Sequence, residues 1–80
     1  MASKYDLAEW LVEALKANGG KGTIVTLCKQ IWKNHENELR ASGDLFYTWQ
    51  YDVRWAANEL RRTGRMKAVE VSPKGIWELK

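Results

Sequence analysis

For its first three quarters this sequence of 80 residues places hydrophobic side chains at helical spacing, and after Gly64 the period changes to two. That switch restricts the chain to helices followed by a short β segment. Three stretches carry the helical period. In the first, Leu7, Trp10, Leu11, Ala14 and Leu15 share one face, with Glu9, Glu13 and Lys16 opposite. Ser3 and Asp6 have capping spacing at its start and Gly19-Gly20 supplies a stop, so this helix is expected at about residues 4 to 17. The second stretch has Leu27, Cys28, Ile31, Trp32 and His35 on one face, with Leu39 extending it and Thr26 as its cap. The third and longest carries Leu45, Phe46, Trp49, Val53, Ala56 and Leu60 on one stripe. Asp44 and Thr48 are both suitable N-caps for it, and Gly64 is its C-terminal stop.

Between the first two helices, Gly22-Thr23-Ile24-Val25 is β-branched and reads as a brief strand. Beyond Gly64, Met66, Ala68 and Val71 roughly alternate with charged residues, and Trp77 and Leu79 share one side of a second run. Ser72-Pro73-Lys74-Gly75 between them matches a type I turn, so a hairpin is expected. The order helix, strand, helix, helix, strand, strand makes the expected fold α+β: a winged helix-turn-helix. It has three helices, a short strand after the first, and a C-terminal β-hairpin wing, as one domain over residues 1 to 80. A chain so short has room for one core, and its five tryptophans compensate for the small fraction of surface that such a domain buries. Trp10, Trp32, Trp49 and Trp77 fall on apolar faces and are expected in the core, while Trp55 sits at a stripe edge beside Tyr51.

The composition removes several function classes. A lone cysteine excludes an intramolecular disulfide framework and a multi-cysteine zinc site, which suits a reducing compartment. No apolar run approaches the ~20 residues of a membrane span, and the opening segment lacks the basic-then-apolar order of a signal peptide, so a cytoplasmic location is expected. Cys28 and His35 are the pair that a catalytic reading requires, but seven positions on one helix put them ~10 Å apart along its axis. With no phosphate-cradling glycine loop and no clustered metal ligands, no enzyme activity, cofactor, metal or small-molecule substrate is expected.

Charge is unevenly spread. Residues 48 to 80 carry seven basic and four acidic groups, which accounts for the whole net charge of +3, because the first 47 residues balance at six of each. A polyanion would meet this part of the chain.

The run Ser42-Gly43, Phe46-Tyr47, Trp55-Ala56, Leu60, Gly64 and then Gly75-Ile76-Trp77-Glu78-Leu79 resembles the N-terminal winged-helix domain of Mrr-type restriction proteins, over roughly residues 5 to 79. The resemblance implies DNA recognition in a bacterial restriction, defence or transcription-regulatory setting. Mrr-type proteins join this domain to a nuclease of the PD-(D/E)xK kind, and the likeness here is to the recognition half alone, which implies a small DNA-binding or adaptor protein or a fragment of something longer.

The candidate DNA-binding residues are Thr48, Gln50, Tyr51, Arg54, Asn58, Arg61, Arg65, Lys67 and Lys74. Gln50, Arg54 and Asn58 stand four apart on one side of the third helix, and their side chains are those that bridge guanine or adenine edges. Arg61, Arg62, Arg65 and Lys67 form an acid-free cluster, and two roles compete for them: tracking phosphates, or complementing the helix C-terminus, which suits Arg61 and Arg62. Lys74 stands at the expected wing tip. Lys29, Lys33 and Lys21 are minor candidates, better read as solvated. The expected function is non-catalytic binding of double-stranded DNA. The alternative is a protein-interaction or homodimerisation module, marked by an exposed Tyr47-Tyr51-Trp55 patch with Asp52 and Glu59 facing the would-be groove. RNA binding lacks the stacking motifs of the usual RNA modules.

Overall fold

The computed structural model describes residues 2–80. Three helices and two short strands follow in the order α1 (Lys4–Ala17), β1 (Lys21–Thr23), α2 (Ile24–Arg40), α3 (Leu45–Arg62) and β2 (Ile76–Glu78), a small α+β fold. At the start of α1 the Ser3 amide donates to Asp6 Oδ2 at 2.9 Å, so the carboxylate satisfies one of the amides that the first turn leaves free. Leu7, Leu11 and Leu15 are fully buried along its inner face, each contributing roughly 1.5 to 3 kcal/mol of transfer free energy. Helix α1 packs mainly on α3 and also on α2. The shared core adds Leu27, Ile31 and Leu39 of α2, Trp49, Val53, Ala56 and Leu60 of α3, and Met66 beyond it. Trp10 and Trp49 lie in that core, whereas Trp32, Trp55 and Trp77 pack against its margin and remain partly exposed. For Trp32 and Trp77 this differs from the expected core placement. Among the described residues no helix is long and apolar enough to cross a membrane.

The α2 start lies earlier than the sequence suggests. Ile24 and Val25 belong to its first turn, and the cap is Thr23, whose Oγ1 accepts from the Thr26 amide at 3.2 Å. A cap that satisfies a free amide outweighs the weak strand preference of two β-branched residues. The helix bends at His35, whose φ of −132° and ψ of 23° are not helical. Helix α3 begins at Leu45 with Asp44 in the cap position, and its C-terminus is closed by the Arg65 amide donating to Leu60 O at 2.7 Å across Gly64. Gly64 has φ +80°, a conformation that a side chain there would strain.

The sheet is antiparallel and joins distant parts of the chain, β1 pairing with β2 in the register Lys21↔Glu78, Gly22↔Trp77, Thr23↔Ile76. The expected hairpin closes only at its base. There the Lys67 amide donates to Glu78 O at 2.9 Å and Met66 bridges Leu79. Residues 68–75 are turns rather than strand, because Val69 and Val71 have no face to bury and both stay exposed. The tip turn is also displaced by one residue from the type I reading. Its hydrogen bond runs from the Ile76 amide to Pro73 O at 3.0 Å, with Gly75 at φ +79° in the third position, the place where a type II turn demands glycine.

At the bend of α2, His35 stacks on Trp10 with ring centroids 4.0 Å apart, its Nδ1 lies 2.7 Å from Glu38 Oε1 and its Nε2 2.8 Å from Glu13 Oε1. A neutral imidazole donates from one nitrogen only, so the imidazolium is the form that satisfies both carboxylates. Burial pushes the His35 pKa down, but the two carboxylates outweigh it and the net shift is upward from 6.5. A folded value above the unfolded one means the clasp stabilises fully below the unfolded pKa and is lost as pH rises through the folded one. Urea unfolding is therefore expected to give stability that falls as the pH rises above the ordinary histidine value of about 6.5, and His35→Gln is expected to flatten that slope. An unchanged slope in the variant would assign the pH dependence to other groups.

Candidate nucleic-acid interface

The outer stripe of α3 is built by its period. Gln50, Arg54 and Asn58 follow at four-residue steps, and Arg61 returns to within roughly 20° of Arg54 at 100° per residue. All of these but Arg61 are exposed, and Arg61 is partly buried. Two grooves flank the stripe. One, of about 680 Å³, runs between α2 and α3 and has Lys29, Gln50 and Arg54 on its rim. The other, of about 440 Å³, lies between α3 and the 68–75 segment and is lined by Arg54, Asn58, Arg61 and Lys74 among others. Arg54 borders both, so the grooves form one continuous face. Neither groove has an aspartate or glutamate among its lining residues.

The cations of this face differ in how they are held. Among the described residues, Arg54, Lys74 and Lys29 have no carboxylate within 4.0 Å. Arg61 is braced instead: its Nη1 donates to Asn58 Oδ1 at 3.3 Å and its Nε to Lys67 O at 3.3 Å, while the guanidinium lies 5.8 Å from the Trp77 ring centroid. That bracing fixes where both Arg61 and Asn58 stand. It also holds the 68–75 segment to α3 at its base.

Five of the nine sequence candidates, Gln50, Arg54, Asn58, Arg61 and Lys74, are thus gathered around the two grooves. Tyr51 projects beside them at 76% exposure without lining either. The other three lie elsewhere. Thr48 is about 120° around the helix from Arg54 and its hydroxyl donates to Asp52 Oδ2 at 2.8 Å. Beyond the reversal at Gly64, Arg65 turns toward α1 and pairs with Glu9 at 2.7 Å, a bond that pulls the Glu9 carboxyl below its usual range. Lys67 follows the sheet and its Nζ meets Glu78 Oε2 at 3.4 Å. Arg62 pairs with Glu59 at 2.7 Å, away from both grooves.

Sequence reasoning undervalued Lys29, which it placed on a solvated face and which stands on the groove rim. It assigned Tyr47 to the alternative docking patch and not to the DNA-facing stripe, although Tyr47 projects at 83% exposure roughly 20° from Arg54 around the helix. It also passed over Ser72, whose Oγ is buried beside the second groove with no hydrogen-bond partner. Only the turn-forming role of Ser72 was readable. Cys28 lies half-buried in the first groove, while both nitrogens of His35 face carboxylates, so the two are not a nucleophile and base. Among the described residues no three His, Cys, Asp or Glu side chains are grouped to hold a metal.

No family model, curated protein or solved structure matches this sequence.

Proposed function

We propose that this protein binds double-stranded DNA as a winged helix-turn-helix module, without catalysing a reaction. In this reading α3 enters the major groove, with Arg54 and Asn58 on base edges, and the 68–75 segment lies along the backbone as a wing. The observation that carries the reading is the pair of adjoining grooves, neither lined by a carboxylate, around which Lys29, Arg54, Arg61 and Lys74 converge. Its length is suitable: the eleven steps from Gln50 to Arg61 rise roughly 17 Å at 1.5 Å each, about five base pairs of duplex. The resemblance to Mrr-type domains adds a setting, DNA targeting in bacterial defence or regulation.

The exposed Tyr47 and Tyr51 favour a second reading, a docking module for a partner protein or a second copy. The acids that would strengthen it point elsewhere, since Asp52 accepts from Thr48 and Glu59 is paired with Arg62.

Salt separates the two readings. With Lys29, Arg61 and Lys74 on phosphates, log affinity for a duplex is expected to fall against log salt with a slope near −2.7, a loss of roughly fortyfold between about 50 and about 200 mM. Fluorescence anisotropy with labelled duplex measures it. An absence of binding at the lowest salt rejects DNA as the partner.

A further inference from the structure

The groove between α2 and α3 has a composition that phosphate contact does not explain. Its walls are Cys28, Trp32, Phe46 and Trp49, and its rim holds Lys29 and Arg54. Trp32 and Trp49 are nearly parallel, 11° apart in plane with centroids at 6.0 Å, and Phe46 is tilted against Trp32 at 6.4 Å. Arg40 lies over both Trp32 and Phe46, at 5.1 and 5.8 Å, and holds that wall in place. The groove is an open trough of about 680 Å³, which gives room for a small molecule laid along its wall. An apolar aromatic wall favours a flat aromatic body. Two cations with no carboxylate partner favour an anion, and the guanidinium fork fits a carboxylate in two parallel bonds.

We infer that this groove binds a small aromatic carboxylate, ring against Trp32 and Phe46 and carboxylate on Arg54 and Lys29, and that the bound ligand competes with DNA for Arg54. The pocket stands on its own geometry. The competition rests on the DNA-binding reading. Cys28 and Arg54 both line this groove, and burial raises the Cys28 thiol pKa although the Arg54 charge draws it down.

Cys28 is the only cysteine of the chain, so its alkylation reports on the groove alone. The rate of reaction with N-ethylmaleimide would be measured on the full chain without DNA, in the presence of 2-naphthoate or its neutral isostere 2-naphthylmethanol. Occupancy by 2-naphthoate is expected to slow the reaction at least roughly fivefold, and the neutral isostere to need about ten times the concentration for equal protection. Arg54→Met is expected to remove that preference, and Lys29→Met to reduce it, with circular dichroism confirming the fold of each. Equal protection by the two compounds, or a preference that survives Arg54→Met, overturns the pocket. Duplex anisotropy then tests the coupling, with 2-naphthoate expected to displace DNA and the alcohol to leave it bound. Protection without displacement overturns the competition and keeps the pocket. Failure of the duplex to bind at low salt rejects the DNA reading and the coupling together, while the alkylation rates still decide the pocket.

Discussion

Replacing Arg54 and Asn58 together by alanine is expected to weaken binding to a preferred duplex by roughly 30- to 1000-fold, about 2 to 4 kcal/mol, and to erase most of the preference between sequences. Each side chain can form a bidentate contact with a base edge, commonly worth about 1 to 3 kcal/mol, and their positions one turn apart make the two losses less than additive. The fold should survive. Arg54 is exposed and has no carboxylate partner within 4.0 Å among the described residues, and Asn58 only accepts from Arg61 at 3.3 Å. Lys74→Ala is the contrasting variant, because a phosphate contact carries no sequence information. It is expected to weaken all duplexes alike and to make the salt slope shallower by about 0.9. Anisotropy titrations with preferred and scrambled duplexes distinguish these patterns. If the double variant keeps both affinity and preference, α3 does not read the groove.

What could be read in advance follows from which forces are local. The three stripes specified the helices because burial of Leu7, Leu11, Leu27, Ile31, Val53 and Leu60 is set by period, and all six are buried. The Gly64 stop was legible for the same reason, since the positive φ there is a property of one residue. The start of α2 was misread because two local signals competed, strand preference in Ile24-Val25 and capping by Thr23, and the capping bond won. The register of β1 on β2 pairs residues 57 positions apart at Lys21 and Glu78, and no local signal encodes it. The same holds for the site. The angular positions of Gln50, Arg54 and Asn58 on α3 were readable from the period, but the neutralisation of Arg65 by Glu9 and of Lys67 by Glu78 arises only when α1 and β2 fold back on them. Lys29 joins the face because α2 lies against α3, and nothing in its neighbourhood in sequence distinguishes it from Lys33.

The orientation of α3 about its own axis decides which residues can reach a partner, and stability measurements test it without any ligand. Trp49→Ala is expected to cost about 3 to 5 kcal/mol, the usual range for removing a buried tryptophan. Trp49 is only 5% exposed and stacks on Trp32, so its loss opens a cavity between α2 and α3 as well as removing transfer free energy. A domain of this size has a total stability of roughly 4 to 12 kcal/mol, so the variant should lose about a quarter or more of it, and a low starting value would leave it unfolded in water. Tyr47→Ala, two positions earlier and 83% exposed, is expected to change stability by less than about 0.5 kcal/mol. Urea unfolding followed by circular dichroism compares them directly. Similar costs for the two substitutions would mean that α3 is rolled about its axis relative to the core. The roll would carry Arg54 and Asn58 off the outer face, and the DNA interface and the aromatic groove would both be lost with it.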